Sequence, residues 1–233
     1  MLSTAHTKKI QYYIRHVARC FEDAREGISS LNEDVLALEG MSGTETRHLY
    51  NNLCRLRIPG QAGAAVRYLE IGTWKGSSLI SSLTGNDHVE AICIDNFSEF
   101  GGPRAEFDAN RAKFIPNSKL TVLDDDCFAP CLLSEDQKFD IYLYDGGHSR
   151  EQQRDAITKF VKHLADVSVV VVDDWNNQAV HQGTMDGLKE CADVLRVCSS
   201  TEVRYTSDGS HTPMDIARSG FWNGLCVMVV ERL

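Results

Sequence analysis

The chain has 233 residues, of which 42% are hydrophobic, and a formal net charge of −9 at pH 7. This allows one substantial core and argues against a nucleic-acid partner, which needs a basic face. No apolar run is long enough to cross a bilayer and the N-terminus lacks a signal-peptide core, so the expectation is a cytoplasmic protein without a membrane partner.

Residues 1–62 read as a helical N-terminal cap on a core formed by 63–233. Ile10, Tyr13, Ile14, Val17, Ala18 and Phe21 recur at the three-and-four spacing of an amphipathic helix. A second apolar patch, Leu31 with Val35–Leu38, ends at Gly40, and a further helix is expected from Thr44 through Leu56. Gly40–Gly43 between them is a candidate hinge, and Pro59-Gly60-Gln61-Ala62-Gly63 closes the segment.

From residue 66 onward, short apolar runs alternate with helical stretches. The runs Val66–Ile71, Val89–Ile94, Leu120–Leu123, Phe139–Tyr144 and Ser168–Val172 predict five strands, each followed by a helix candidate. Leu195–Thr206 and Leu225–Val230 add two more, joined by a polar segment from Ser207 to Gly220. Near-continuous apolar strands with helices between them predict an α/β doubly wound, Rossmann-like sheet of seven strands. The eight cysteines contain no Cys-x-x-Cys pair, which argues against zinc. Cys93, Cys198 and Cys226 fall inside strand-like runs, where a free thiol packs as a small hydrophobe.

The chain is organised around Tyr68-Leu69-Glu70-Ile71-Gly72-Thr73-Trp74-Lys75-Gly76-Ser77-Ser78. A strand, a glycine turn and a helix in succession aim backbone N–H groups at a ligand. The Gly-x-Gly-x-x-Gly dinucleotide fingerprint is absent, which disfavours NAD. A carboxylate at the strand end, Glu70, suits a ligand with a cationic or amine-bearing end.

The next four strands also end in acids: Asp95, the trio Asp124–Asp126, Asp145, and Asp173-Asp174. Any one of these is accounted for as a helix cap. All of them together, with a doublet and a triplet, point instead to a ligand crevice at the carboxyl ends of the strands. Asp95 is placed to accept the hydroxyls of a ribose. Asp145, Asp173 and Asp174 make an all-oxygen set that fits Mg²⁺ or Mn²⁺. His148 follows Asp145-Gly146-Gly147 closely enough to act on whatever a cation holds, although a histidine at a helix start is also an ordinary cap.

The glycine turn resembles the first motif of class I S-adenosylmethionine (SAM) methyltransferases. That resemblance implies cofactor contacts from Glu70, Gly72, Thr73, Gly76, Ser77, Ser78, Asp95 and Asp145. It also implies adenine recognition by Asp126 and Cys127. Tyr68–Ile80, Ile94–Gly102, Phe139–Gln153 and Val169–Trp175 together resemble the metal-dependent O-methyltransferases that act on macrolide sugars. In that family an Asp-x-x-His pair and a later acidic doublet supply metal ligands and a catalytic base. The resemblance therefore implies Asp145, Asp173 and Asp174 as ligands and His148 as base, with Asp173 departing from the more frequent Glu. The expected reaction is methyl transfer from SAM to a hydroxyl of a small-molecule acceptor. A catechol or phenol acceptor, a metal-binding relative with hydroxylase-type chemistry, a non-catalytic SAM-binding protein and a homo-oligomeric state stay open.

Overall fold

The structure is a computed structural model describing residues 4–61, 63–207, 209–210 and 212–233. Residues 1–3 and Ala62 of the expected cap, and Asp208 and His211 of the expected polar segment, lie outside the described residues. Three helices open the chain: α1 (Thr4–Arg25), α2 (Glu33–Leu36) and α3 (Thr44–Leu53). There follow β1 (Val66–Ile71), α4 (Ser77–Leu83), β2 (Val89–Ile94), α5 (Arg104–Phe114), β3 (Lys119–Leu123) and β4 (Phe139–Tyr144). The second half contains α6 (Arg150–Thr158), a 3₁₀ turn (Val161–His163), β5 (Leu164–Asp173), α7 (Gln178–Glu190), β6 (Leu195–Val203), α8 (Met214–Ser219) and β7 (Leu225–Arg232).

The strands form one seven-stranded sheet in the order β3-β2-β1-β4-β5-β7-β6, parallel except for β7, which runs antiparallel to both its neighbours. Both faces are covered. Val167, Val169 and Val171 of β5 enter one hydrophobic cluster, and Val170 and Val172 enter the other. This two-sided burial is why the parallel strands read as unbroken apolar runs.

Several boundaries differ from the sequence reading. β5 starts at Leu164 rather than Ser168, because Leu164, Ala165 and Val167 are also buried. β6 stops at Val203, short of Thr206, while β7 continues past Val230 to Arg232. α3 ends at Leu53 rather than Leu56. The expected helix after β3 does not form: residues 124–138 pass through turns, as their Asp, Pro and Ser content favours. An open cleft of about 680 Å³ adjoins that connection, lined by Arg67, Glu90, Ile92, Lys119, Thr121 and Lys138. It lies toward the amino ends of the strands, away from the acids.

The N-terminal helices pack into the sheet's own core. Ile10, Tyr13, Val17 and Phe21 of α1 share a cluster with Val169, Val171, Val227 and Val229. The Phe21 ring lies 5.6 Å from that of Phe221. α1 touches β5, β6 and β7, so it covers a sheet face and does not stand over the crevice as a lid. β1 pairs with β2 on one side and β4 on the other, so the crevice outside their carboxyl ends is the switch point of the sheet.

Phe21 is 3% exposed. Its truncation to Ala is expected to cost ~3–5 kcal/mol, the usual loss for a buried phenylalanine, when measured by urea unfolding. A loss below about 1 kcal/mol would mean that α1 is separable from the core.

Candidate active site

The turn after β1 is built on a close approach. Gly72 has φ +81°, and a Cβ there would fall 1.9 Å from the carbonyl oxygen of Asp145. Only glycine fits, and in consequence the ends of β1 and β4 touch. Asp95 clasps the same turn from β2. Its Oδ2 accepts the N–H groups of Thr73 and Trp74, each at 2.7 Å, and its Oδ1 accepts that of Phe97 at 2.7 Å. The residue expected to hold a ribose also holds the loop.

Glu70 is fully buried, so it does not face the crevice as expected. Its carboxylate accepts hydrogen bonds from Tyr68 Oη and from Ser78 Oγ, the latter at 2.7 Å. Burial pushes the Glu70 carboxyl up to about 7. Gly76, with φ +89°, opens α4, and Ser77 and Ser78 form its first turn, both buried. Asp126 is exposed and its Oδ1 accepts the N–H of Phe128 at 2.8 Å, closing its own turn. Cys127 is half-buried beside it, with burial pushing its thiol up to about 12.

The acids of the second half converge. One ligand atom each from Asp145, His148 and Asp174 lies within 4.8 Å of the others. His148 Nε2 is 2.8 Å from Asp174 Oδ2, and this bond raises the affinity of the imidazole for a proton. The placement of His148 follows from local sequence: β4 ends, two glycines turn the chain, and Ser149 starts α6 with a capping box to Gln152. Asp174 sits at φ +55°, and its Oδ1 accepts Asn223 Nδ2 at 2.8 Å.

Asp173, expected as a ligand, is turned elsewhere. Its Oδ2 accepts the Tyr50 hydroxyl at 2.7 Å and its Oδ1 accepts the Asp174 N–H at 2.8 Å. Burial and the charge of Asp174 push its carboxyl up to about 7. The third member of the cluster is thus His148. Asp145 differs from the rest: among the described residues its carboxylate accepts no hydrogen bond. Burial, then Asp173 and Asp174, raise it well above the carboxylate range. Two carboxylates, one of them lacking a donor among the described residues, fit a hard divalent cation, and the imidazole held by Asp174 stands beside it.

Tyr50 and Asn223 were not legible as site residues. Tyr50 reads as a core position of an amphipathic helix, and it lies 123 positions from the acid it binds.

Comparison with known proteins places this geometry. Residues 69–175, from the end of β1 through the acidic doublet, match the family described as a methyltransferase domain. Comparison with curated protein sequences finds no significant match. Among solved structures, precorrin-6y C5,15-methyltransferase from Geobacter metallireducens GS-15 is similar with a TM-score of 0.56 at 15% identity, over 87% of this chain and 97% of that one. An O-methyltransferase from Bacillus cereus in complex with SAH is similar with a TM-score of 0.53 at 14% identity, over 96% and 91% of the two chains. The fold is therefore the Rossmann-like methyltransferase fold.

Glu70 gives the site a measurable signature. An unfolded carboxyl loses its proton near 4.5, whereas the folded one keeps it to about 7. Stability accordingly falls as pH rises through that window, because only the folded state must then carry a buried charge. Glu70→Gln is expected to unfold in urea much like the wild type at pH 5. At pH 8 it should be more stable by ~3 kcal/mol, at 1.36 kcal/mol per pKa unit. A variant less stable than the wild type at pH 8 would mean that the Tyr68 and Ser78 donors outweigh burial.

Proposed function

We propose that the chain is an O-methyltransferase that uses SAM and a divalent cation, Mg²⁺ or Mn²⁺, to methylate a hydroxyl of a small-molecule acceptor. The observation that carries this reading is the Asp145–His148–Asp174 cluster at the carboxyl ends of β4 and β5, directly beside the glycine turn of β1. The methyltransferase-domain match over residues 69–175 supports SAM as the methyl donor. SAM, when bound, supplies a methyl group on a positively charged sulfur. A cation, when bound, makes an adjacent hydroxyl more acidic.

The chain's own residues then have distinct tasks. Asp145 and Asp174 hold the cation. His148, with nearly half of its side chain exposed, takes the acceptor's proton, and Asp174 orients its ring. Tyr50 keeps Asp173 turned away from the cluster, and Asn223 fixes the left-handed turn at Asp174. The Gly72 turn and its Asp95 clasp set where the donor lies relative to these groups. Sugar hydroxyls are the favoured acceptors on the strength of the motif resemblance, with phenols next.

A second reading is supported by the His148–Asp174 bond: a dyad that removes the proton without a cation. Turnover of a sugar and phenol library, read by mass spectrometry and by release of S-adenosylhomocysteine, separates the two. The proposal expects chelation to abolish transfer and Mg²⁺ or Mn²⁺ to restore it. His148→Ala should keep S-adenosylhomocysteine binding while kcat falls ~10²–10⁴-fold, the usual worth of a general base. Activity that survives chelation but falls in His148→Ala selects the dyad. Activity indifferent to both removes the cluster from the mechanism.

A further inference from the structure

Arg47 is a buried cation without an anion. It is 4% exposed, and among the described residues no carboxylate lies within ion-pair distance of it. Its hydrogen bonds go to neutral oxygens only: Nε to Ser42 O and Ser42 Oγ, both at 3.1 Å, and Nη1 to Val35 O at 3.2 Å and Leu36 O at 2.9 Å. Burial without a counter-charge pulls the guanidinium down to about 10. Leaving a buried charge so poorly compensated is costly unless something else balances it.

The remaining nitrogen, Nη2, makes no hydrogen bond among the described residues. It lies where the α2–α3 loop is folded onto the start of α4. A Cβ at Gly40 would sit 3.0 Å from Nη2 and 2.0 Å from Ser77 Oγ. Ser77 Oγ is also 3.3 Å from Ser42 Oγ. A guanidinium edge and two hydroxyls thus meet at the first residue after the glycine turn. The other cation of that turn, Lys75, is already paired with Glu39 at 2.9 Å.

We infer that Arg47, with the hydroxyls of Ser42 and Ser77, forms the seat for the carboxylate of the methyl donor's amino-acid end. The inference rests on the SAM reading above. A guanidinium nitrogen with its N–H groups open can give a carboxylate oxygen a charge-assisted hydrogen bond. Ser77 is thereby given a donor role that its place in the motif did not specify.

The test is calorimetric titration of the full chain with S-adenosylhomocysteine and with its decarboxylated counterpart, which keeps the amine and lacks the carboxylate. The wild type should prefer the carboxylate-bearing compound by ~10–100-fold, the worth of hydrogen bonds to a charged group. Arg47→Gln should cut that preference below about 3-fold, by weakening S-adenosylhomocysteine and leaving the decarboxylated compound little changed. Arg47→Lys should fall between, because it keeps the charge and loses the hydrogen bonds that hold Nη2 in place. If Arg47→Gln does not fold, Arg47→Lys and Ser77→Ala carry the same comparison, each expected to narrow the preference. Equal binding of the two compounds by the wild type overturns the seat, as does equal weakening of both in the variants. Arg47 would then only clasp the Val35 and Leu36 carbonyls. If the wild type binds neither compound, the SAM reading itself fails and the seat falls with it.

Discussion

Like-charge crowding at one rim of the sheet is the constraint around which this protein is arranged. Five strands deliver acids to the same edge, and each acid must be neutralised, paired or hydrated. The solutions differ by depth. Glu70, fully buried, is met by two hydroxyls. Asp95 is met by three backbone amides. Asp173 takes a tyrosine hydroxyl and an amide, and Asp174 takes an asparagine and a histidine. Asp145 has no donor among the described residues, and its proton affinity is raised by burial and by its neighbours. That acid stands beside Asp174 and His148, where a cation would remove the repulsion at a stroke.

Helix α3 ties the two halves of that site together. Arg47 and Tyr50 are three residues apart, hence on one face of the helix. The first reaches the start of α4 through Ser42 and the second reaches the end of β5 directly. The helix is itself anchored: Asn51 Nδ2 bonds the carbonyls of Ser81 and Thr84 at the end of α4, both at 2.8 Å. Asn86 in turn bonds the Asn51 carbonyl at 3.0 Å. Moving α3 would therefore move the glycine-turn side and the acid side of the crevice together. The N-terminal segment contributes to the site through this rigid coupling, while α1 stays behind the sheet.

The sequence carried the fold's period and punctuation. Strand cores, the Gly72 turn and the acidic strand ends are local patterns of burial and turn chemistry, readable residue by residue. So were Asp145, His148 and Asp174, because each closes or follows a strand. Partner choice was not local. Asp95 has the position of a ribose acceptor, yet nothing in its neighbours reveals that the Thr73, Trp74 and Phe97 amides point at it. The fate of Asp173 depends on Tyr50, which a helical pattern marks only as core. The missing helix between β3 and β4 also escaped, since alternation elsewhere made a helix the default there.

The division of labour between Asp173 and Asp174 shows how adjacent identical residues acquire different chemistry. Asp173 is still in β5 and its side chain enters the core, where Tyr50 waits. At Asp174 the backbone turns left-handed, at φ +55°, and the side chain swings out toward His148. An Asp tolerates that conformation better than most residues. The turn is held from below by Asn223, itself at φ +55°, so two strained residues brace each other. One acid becomes a buried anchor and the next faces His148 because the strand ends between them.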